Sequence, residues 1–250
     1  MTSTAALRTS ATLAVIGAGR LGGVLAAALR AADFTVHGPL RRDDTVPDVD
    51  IAILCVPDAA IPAAAAAARP HAALLGHVSG ATPLDDVDFS IHPLQTFTGT
   101  ESPDVFRGIG AAIAGRTPDA LATAERLATA LGAHPFEVDD AHRAGYHAAA
   151  SIASNLLLTV LDAAEQAAAA SGIRDPRPLL APLVERTVEN WARTGARPAL
   201  TGPIARGDEA TVARQRAALA AATPELIDLF DVLAEQVRAL AEHPRTEGTA

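Results

Sequence analysis

A glycine-rich loop near the start of the chain has the residue types and spacing that bind a dinucleotide diphosphate. It consists of Gly17, Ala18, Gly19, Arg20, Leu21 and Gly22. The first glycine permits a tight turn, the second lets backbone amides approach a phosphate, and the third lets the following helix pack closely against the strand. The loop therefore predicts a bound dinucleotide at a helix N-terminus. A Rossmann fold that has lost its ligand is the alternative.

Two adjacent arginines indicate which dinucleotide it is. Arg41 and Arg42 follow the predicted second strand, 34–38, at the position where an NAD-binding protein carries a carboxylate for the ribose 2′-hydroxyl. Paired guanidiniums instead suit a 2′-phosphate, which they bind through forked, charge-assisted hydrogen bonds. We therefore favour NADP over NAD as the cofactor. The alternative is that both arginines are merely solvated.

Further polar groups follow other predicted strands. The apolar runs 51–56, 74–78 and 89–91 are typical of buried parallel strands. Ligands of such sheets lie beyond the carboxyl ends of the strands. The residues expected there are Val56, Pro57 and Ser79 near the cofactor, and His92 and Gln95 near the substrate.

A polar face on a long predicted helix supplies candidate catalytic groups. Its members, spaced three, four, seven and eight residues apart, are Arg143, Tyr146, His147, Ser151, Ser154 and Asn155. The neighbouring positions are alanine and leucine. This pattern indicates that the polar face lines a cleft and does not face bulk water. A histidine that is simply hydrogen-bonded within the core is the alternative.

The elements that must position these groups form two predicted domains. Residues 1–138 alternate between strands and helices, with strands at 13–16, 34–38, 51–56, 74–78, 89–91, 110–114 and 134–138. That pattern predicts an α/β domain with a Rossmann-like, doubly wound, mostly parallel sheet. Residues 139–250 predict an all-helical domain, with helices at 140–171, 178–194, 208–222 and 224–242.

Composition limits the possible chemistry and partners. The 250-residue chain is 49% hydrophobic and carries a net charge of -9, which argues against nucleic acid as a partner. All twenty basic side chains are arginine, so Schiff-base and general-acid lysines are excluded. No His or Cys cluster with metal-ligand spacing is present.

The expected compartment is the cytoplasm. Cys55 is the single cysteine, so no internal disulfide can form. The segment before Leu13 is short and polar, and charges, glycines or prolines interrupt the later apolar stretches, so no membrane association is expected.

Three longer strings resemble one family. They are the strings 92–97 (HPLQTF), 146–155 (YHAAASIASN) and 199–208 (ALTGPIARGD). Together they resemble an uncharacterised family that pairs a Rossmann-like N-terminal domain with a helical C-terminal domain of unknown function. That family is similar to the 6-phosphogluconate-dehydrogenase-like and ketopantoate reductases. The resemblance implies a cofactor cleft between the domains and a homodimer.

The resemblance also implies residue roles. Related reductases carry a lysine on the first long helix of the second domain, and His147 stands in its place as proton donor, with Ser151 and Asn155 holding substrate. Tyr146 and His92 are rival acids.

The loop at 201–208 completes the predicted substrate site. Thr201 and Arg206 lie in this loop, and the guanidinium of Arg206 suits a substrate carboxylate, although an ion pair with Asp208 is an equal alternative. The leading hypothesis is an NADP-dependent oxidoreductase acting on a small carboxylate-bearing 2-oxo acid, ketopantoate-like, or an imine. The alternative is an NADP(H)-binding regulatory or scaffold protein without turnover.

Overall fold

The computed structural model describes residues 11–242, so most of the polar segment before Leu13 lies outside the described residues. The described chain contains one seven-stranded sheet. Its strands are β1 (Thr12–Ile16), β2 (Thr35–Leu40), β3 (Val49–Leu54), β4 (Ala72–His77), β5 (Phe89–Pro93), β6 (Gly110–Gly115) and β7 (His134–Glu137). All seven predicted strands are confirmed, with small changes at their ends.

The spatial order of the strands is β2-β1-β3-β4-β5-β6-β7. Neighbouring strands from β2 to β5 pair in parallel, and β6 pairs antiparallel with β5 and parallel with β7. The sheet is therefore mostly parallel, as predicted. Because β1 to β5 run in one direction, their carboxyl ends meet at one edge of the sheet.

Helices cover both faces of this sheet. They are α1 (Arg20–Ala31), α2 (Ile61–Ala68) and α3 (Pro118–Ala130). Leu13 and Val15 of β1 are fully buried in a cluster with α1 and α3, whereas Ala14 between them belongs to a cluster with α2. Alternate residues of one strand thus enter two cores, which is the doubly wound arrangement.

The remaining described chain is helical. Its helices are α4 (Asp140–Ser151), α5 (Leu157–Ala170), α6 (Pro176–Thr194), α7 (Ala196–Ala199), α8 (Glu209–Ala222) and α9 (Ile227–Glu242). Short 3₁₀ turns lie at Asp58–Ala60, Arg69–His71, Pro103–Phe106 and Pro224–Leu226. Gly172 and Gly195 follow the ends of α5 and α6 with positive φ angles of 90° and 83°, the conformation that favours glycine after a helix.

The chain divides into two compact units, one ending at Ser154 and the other beginning at Asn155. This division falls later than the predicted boundary of 1–138 and 139–250. The reason is that α4 packs against the sheet of the first unit, where its side chains bond to strand residues. Helical character alone had assigned α4 to the second domain.

The second unit buries few of its side chains. Among its described residues only Val212, Thr223 and Ala234 are buried, and neither α5 nor α6 contains a buried residue. Its exposed large apolar side chains include Leu156, Leu158, Leu179, Leu183, Trp191 and Val232.

One helical stretch, Asp140–Ala170, is long and apolar enough to cross a membrane by length and composition alone, with a mean hydropathy of 1.2 over its most apolar window. Gly145 and Asp162 limit its run without charges, glycine or proline to residues 146–161. Length and composition are weak evidence for a membrane span, because helices that pack against protein pass the same test.

Candidate functional site

The glycine loop joins β1 to α1 and is shaped by its neighbours. Gly17 has a φ angle of 114°, and its amide donates to the carbonyl of Leu40 over 2.8 Å. A Cβ at Gly17 would lie 2.2 Å from the carbonyl oxygen of Cys55, and one at Gly22 would lie even closer to the carbonyl oxygen of Gly17. Both glycines are therefore required by packing, as the sequence predicted.

Gly19 differs from the other two loop glycines. It is exposed, and a Cβ added there would meet no heavy atom of the described residues within 4 Å. Gly19 is also the residue before α1, where no side chain caps the helix and no acidic residue occupies the first turn. The first amides of α1 are thus available to an anion, and the open position of Gly19 gives it room.

The end of β2 presents the two predicted arginines beside this loop. Arg41 and Arg42 follow β2 directly and are exposed. The amide of Arg41 donates to the Asp44 carboxylate over 2.7 Å, which fixes the turn that carries both guanidiniums. Since Gly17 bonds to Leu40, the arginine pair and the glycine loop leave the sheet at neighbouring strands.

The ends of β3 and β4 lie at the same edge. A Cγ atom of Val56 lies 3.2 Å from the position that a Cβ of Gly17 would occupy, so Val56 borders the glycine loop, and Pro57 follows it. Ser79 is buried, and its hydroxyl oxygen accepts hydrogen bonds from the amides of Ala81 and Thr82. The Ser79 side chain therefore shapes the turn after β4.

A hydrogen-bonded pair joins the end of β5 to α4. Nδ1 of His92 lies 2.7 Å from the phenol oxygen of Tyr146, and the two rings meet edge to face at 5.6 Å between centroids. The phenol is the stronger acid of the two neutral groups, so its O–H donates to the imidazole nitrogen. The two candidate acids His92 and Tyr146 are therefore hydrogen-bonded to each other.

His147 completes this cluster. Its ring lies 5.7 Å from that of His92 between centroids. Its Nδ1 is buried and has no hydrogen-bond partner within residues 11–242. Gly80 makes room for both rings, because a Cβ there would lie 2.7 Å from Nδ1 of His147 and 2.8 Å from Cε1 of His92. We name His92, Tyr146, His147 and Gly80 the imidazole cluster.

Burial sets the protonation of His92 and Tyr146. Desolvation, assisted by His147 and the positive charge of Arg143, lowers the pKa of His92 to about 4, against a small opposing effect of Asp58. Desolvation also raises the pKa of Tyr146 to about 12. At neutral pH His92 is therefore an uncharged imidazole and Tyr146 an intact phenol. Such groups can polarise a carbonyl or imine and carry a proton.

Gly80 and Arg143 contribute to this site but were not among the site residues predicted from the sequence. Gly80 could have been recognised as a glycine at the end of a buried strand, where backbone must approach closely. Arg143 was recognised on the polar helix face, but its burial was not foreseen; it is 2% exposed and bonds to the sheet.

The straight-helix spacing does not hold along the whole predicted face. Residues Ile152–Leu156 form a π-helical segment between α4 and α5. A π turn contains about one residue more than an α turn, which rotates the following residues by about 100°. Ser151 is the last residue of α4 and is half-buried, whereas Asn155 lies inside this segment and is exposed.

The other predicted substrate residues lie in loops. Gln95 is exposed after β5, and its side-chain oxygen accepts from the amide of Thr96 over 2.8 Å. Thr201 and Arg206 are exposed residues of the second unit. In the same loop Asp208 accepts from the amide of Thr211 and caps α8. The roles of Asn155, Thr201 and Arg206 stay predictions.

No group of three or more metal-ligating side chains occurs within residues 11–242. The described part of the site consists of backbone amides, arginines, two imidazoles and a phenol.

Comparison with known proteins identifies related sequences and folds. The family model described as Domain of unknown function (DUF2520) matches residues 109–237, just over half of the chain. No curated protein matches significantly. This agrees with the predicted resemblance to a family of unknown function, while the predicted kinship with ketopantoate reductases stays a prediction.

Solved structures share the fold. A candidate NADP oxidoreductase from Bacteroides fragilis is 22% identical, with a TM-score of 0.78 over 92% of this chain and 99% of its own. A Thermotoga maritima protein is 21% identical, with a TM-score of 0.79 over 92% and 100%. Plasmodium falciparum pyrroline carboxylate reductase, solved with NADP bound, is 11% identical, with a TM-score of 0.56 over 93% and 98%.

The buried state of His92 predicts a pH dependence of stability. The unfolded chain protonates this ring near pH 6.5 and the folded chain only near pH 4, so the unfolded chain binds more protons between these values. The free energy of unfolding should therefore fall as the pH falls from 6.5 to 4, by up to about 3 kcal/mol from this group. Urea denaturation across that range measures it.

His92→Gln should flatten this pH dependence, and His134→Gln should leave it unchanged because His134 is exposed. Part of the slope should persist in both variants, since burial also lowers the pKa of His77. Equal slopes in the wild type and His92→Gln would contradict the assignment.

Proposed function

We propose that this chain, which belongs to the DUF2520 family, is an NADP-dependent reductase of a small carbonyl or imine compound. The observation that carries the proposal is the alignment of two features at one sheet edge. An open helix N-terminus lies at the end of β1, and the imidazole cluster lies at the end of β5. In parallel sheets this edge is where ligands bind.

The residues of the glycine loop fit a dinucleotide diphosphate. Gly17 and Gly22 are required by packing, but Gly19 is not, and the space beside it suits a phosphate oxygen. The amides of Arg20 and Leu21 would donate to the diphosphate from the end of α1, with Ala18 beside them. Val56 and Pro57 would border the cofactor, and Ser79 would hold the turn that faces it.

Arg41 and Arg42 support NADP in preference to NAD. Both guanidiniums are exposed beside the loop, and no acidic residue occupies the end of β2 itself. NADPH supplies a hydride when bound. The candidate NADP oxidoreductase and the NADP-bound reductase among the structural neighbours are in keeping with this choice.

The cofactor preference is testable by titration calorimetry. The wild-type protein should bind NADPH at least about tenfold more tightly than NADH, since a charge-assisted hydrogen bond contributes about 1.5–3 kcal/mol. Arg41→Ser combined with Arg42→Ser should remove this preference by weakening NADPH alone. Arg107→Ser, which changes an exposed arginine elsewhere in the first unit, should not.

Gly19→Val should abolish binding of both nucleotides without unfolding the protein, because space is open at that position. Gly23→Ala is the matched control, since Gly23 is equally open but lies within α1. Equal affinity for NADPH and NADH would contradict the role of the arginine pair, and nucleotide binding by Gly19→Val would contradict the phosphate site.

His147 is the proposed proton donor. Tyr146 and His92 bond to one another, whereas Nδ1 of His147 has no partner within the described chain. As hydride reaches the carbon of the C=O or C=N bond, its oxygen or nitrogen takes a proton from His147, directly or through one water molecule. The Tyr146 and His92 pair, held uncharged by burial, orients the ring and polarises the same bond.

Turnover tests this role. The protein should oxidise NADPH in the presence of at least one compound from a panel of ketopantoate-like 2-oxo acids and cyclic imino acids. His147→Ala should lower kcat/KM by about 10²–10⁴-fold, the usual contribution of a general acid. His142→Ala, an exposed histidine on the same helix, should have no effect.

An unchanged rate in His147→Ala would overturn the proton-donor role. Tight NADPH binding with no turnover on any member of the panel would instead favour an NADP(H)-responsive regulatory or scaffold protein. The carboxylate on the substrate is proposed because the guanidinium of Arg206, which is exposed in the second unit, suits a carboxylate as a forked partner.

We also propose that the chain forms a homodimer through its second unit. That unit exposes apolar side chains along α5 and α6 and buries almost none, so it lacks a sufficient core of its own. Two copies of the same apolar surface can cover one another in an isologous interface.

Light scattering after gel filtration should give twice the chain mass of 25.5 kDa. Leu179→Glu with Leu183→Glu should give monomers, because both leucines are more than 60% exposed on α6. Glu185→Arg, a charge change on the opposite face of the same helix, should leave the dimer intact. A wild-type monomer, or protein recovered only with detergent, would contradict the proposal, the latter in favour of a membrane.

A further inference from the structure

Two hydrogen bonds join α4 to β5 as successive rungs. Nη2 of Arg143 donates to the hydroxyl of Ser90 over 2.9 Å, and the phenol of Tyr146 donates to Nδ1 of His92 over 2.7 Å. The helix partners are three residues apart and share one face, and the strand partners are two residues apart and share one face. The two rungs therefore match the periods of both elements and fix one register of α4 on β5.

Arg143 makes further bonds that Tyr146 does not. Its Nη1 donates to the carbonyl of Ser79 over 3.4 Å, and its Nε donates to Asp140 over 3.0 Å. Asp140 in turn accepts from the amide of Leu84 over 3.2 Å. The guanidinium thus ties α4 to the turn after β4 as well as to β5, next to Gly80 in the imidazole cluster.

Burial makes this arrangement consequential. The Arg143 side chain is 3% exposed, and Ser90 is fully buried. A buried guanidinium with fixed partners tolerates little displacement, because any broken bond leaves a desolvated donor or acceptor. Arg143 is therefore placed to control both the position of α4 and the local electric field.

We propose that Arg143 is a positioning residue for the reaction proposed above. It sets the register that brings Tyr146 onto His92 and His147 beside Gly80. The effect of this role on catalysis rests on the proposed function. The register of α4 on β5 and the effect of the Arg143 charge on His92 do not require substrate or cofactor.

The titration of His92 has several contributors. The groups that face it are Tyr146, His147 and Arg143 on α4, His77 on β4 and Asp58 after β3. Desolvation is the largest cause of its lowered pKa, and Arg143 and both other histidines act in the same direction. Removing the Arg143 charge should therefore raise the pKa of His92 without restoring it fully.

Nuclear magnetic resonance can test both effects, because Tyr146 is the single tyrosine of the chain. The wild type should show nuclear Overhauser contacts from the Tyr146 ring to His92 and to Phe136, whose ring lies 5.8 Å away. In Arg143→Met the contact to His92 should weaken or vanish. The His92 ring, assigned with His92→Gln, should titrate at a pH higher than the wild-type value of about 4.

Two variants separate register from charge. Ser90→Ala removes one rung and keeps the guanidinium, so the Tyr146 contact should weaken while the His92 titration stays near its wild-type value. Arg143→Lys keeps the positive charge but loses the forked guanidinium, so the pKa of His92 should also stay near its wild-type value. Arg126→Met removes a half-buried arginine of α3 and should alter neither signal.

A folded Arg143→Met protein with an unchanged Tyr146 contact and an unchanged His92 titration would overturn the proposal. If Arg143→Met does not fold, a Ser90→Ala protein with an unchanged Tyr146 contact, or an Arg143→Lys protein whose His92 titrates near 6.5, would overturn it. These signals need no turnover, so failure of the proposed reduction leaves them interpretable. Where turnover exists, Arg143→Met should lower kcat and move its pH profile, with KM less affected.

Discussion

The parallel pairing of β1 to β5 is the constraint on which the rest of this structure depends. It brings the glycine loop, the arginine turn, the turn after β4 and the end of β5 to one edge of the sheet. Strand pairing alone therefore places residues that are far apart in the chain at the same edge of the sheet.

A second constraint, the attachment of α4, converts that edge into a chemical site. The strand ends alone offer amides, a serine turn and His92. Packing of α4 adds Tyr146 and His147 and buries them enough to hold His92 uncharged and Tyr146 protonated at neutral pH. The absence of lysine from the sequence makes this an imidazole and phenol site, unlike a reductase that uses an ammonium group.

Much of the first unit was predictable from local patterns. Apolar runs bounded by turn residues predict all seven strands, and the glycine spacing predicts the roles of Gly17 and Gly22, which steric contacts confirm. The inward orientation of Arg143 and the π segment at Ile152–Leu156 were not predictable, because they depend on packing between distant residues. The division into compact units after Ser154 was not predictable for the same reason, since contacts of α4 decide it.

A crystal structure of the protein with NADPH tests the central claim most directly. We expect the diphosphate to accept hydrogen bonds from the amides at the start of α1, with the 2′-phosphate at Arg41 and Arg42 and the nicotinamide on the side of the imidazole cluster. Nucleotide bound elsewhere, or a diphosphate out of reach of the α1 amides under saturating NADPH, would contradict the account.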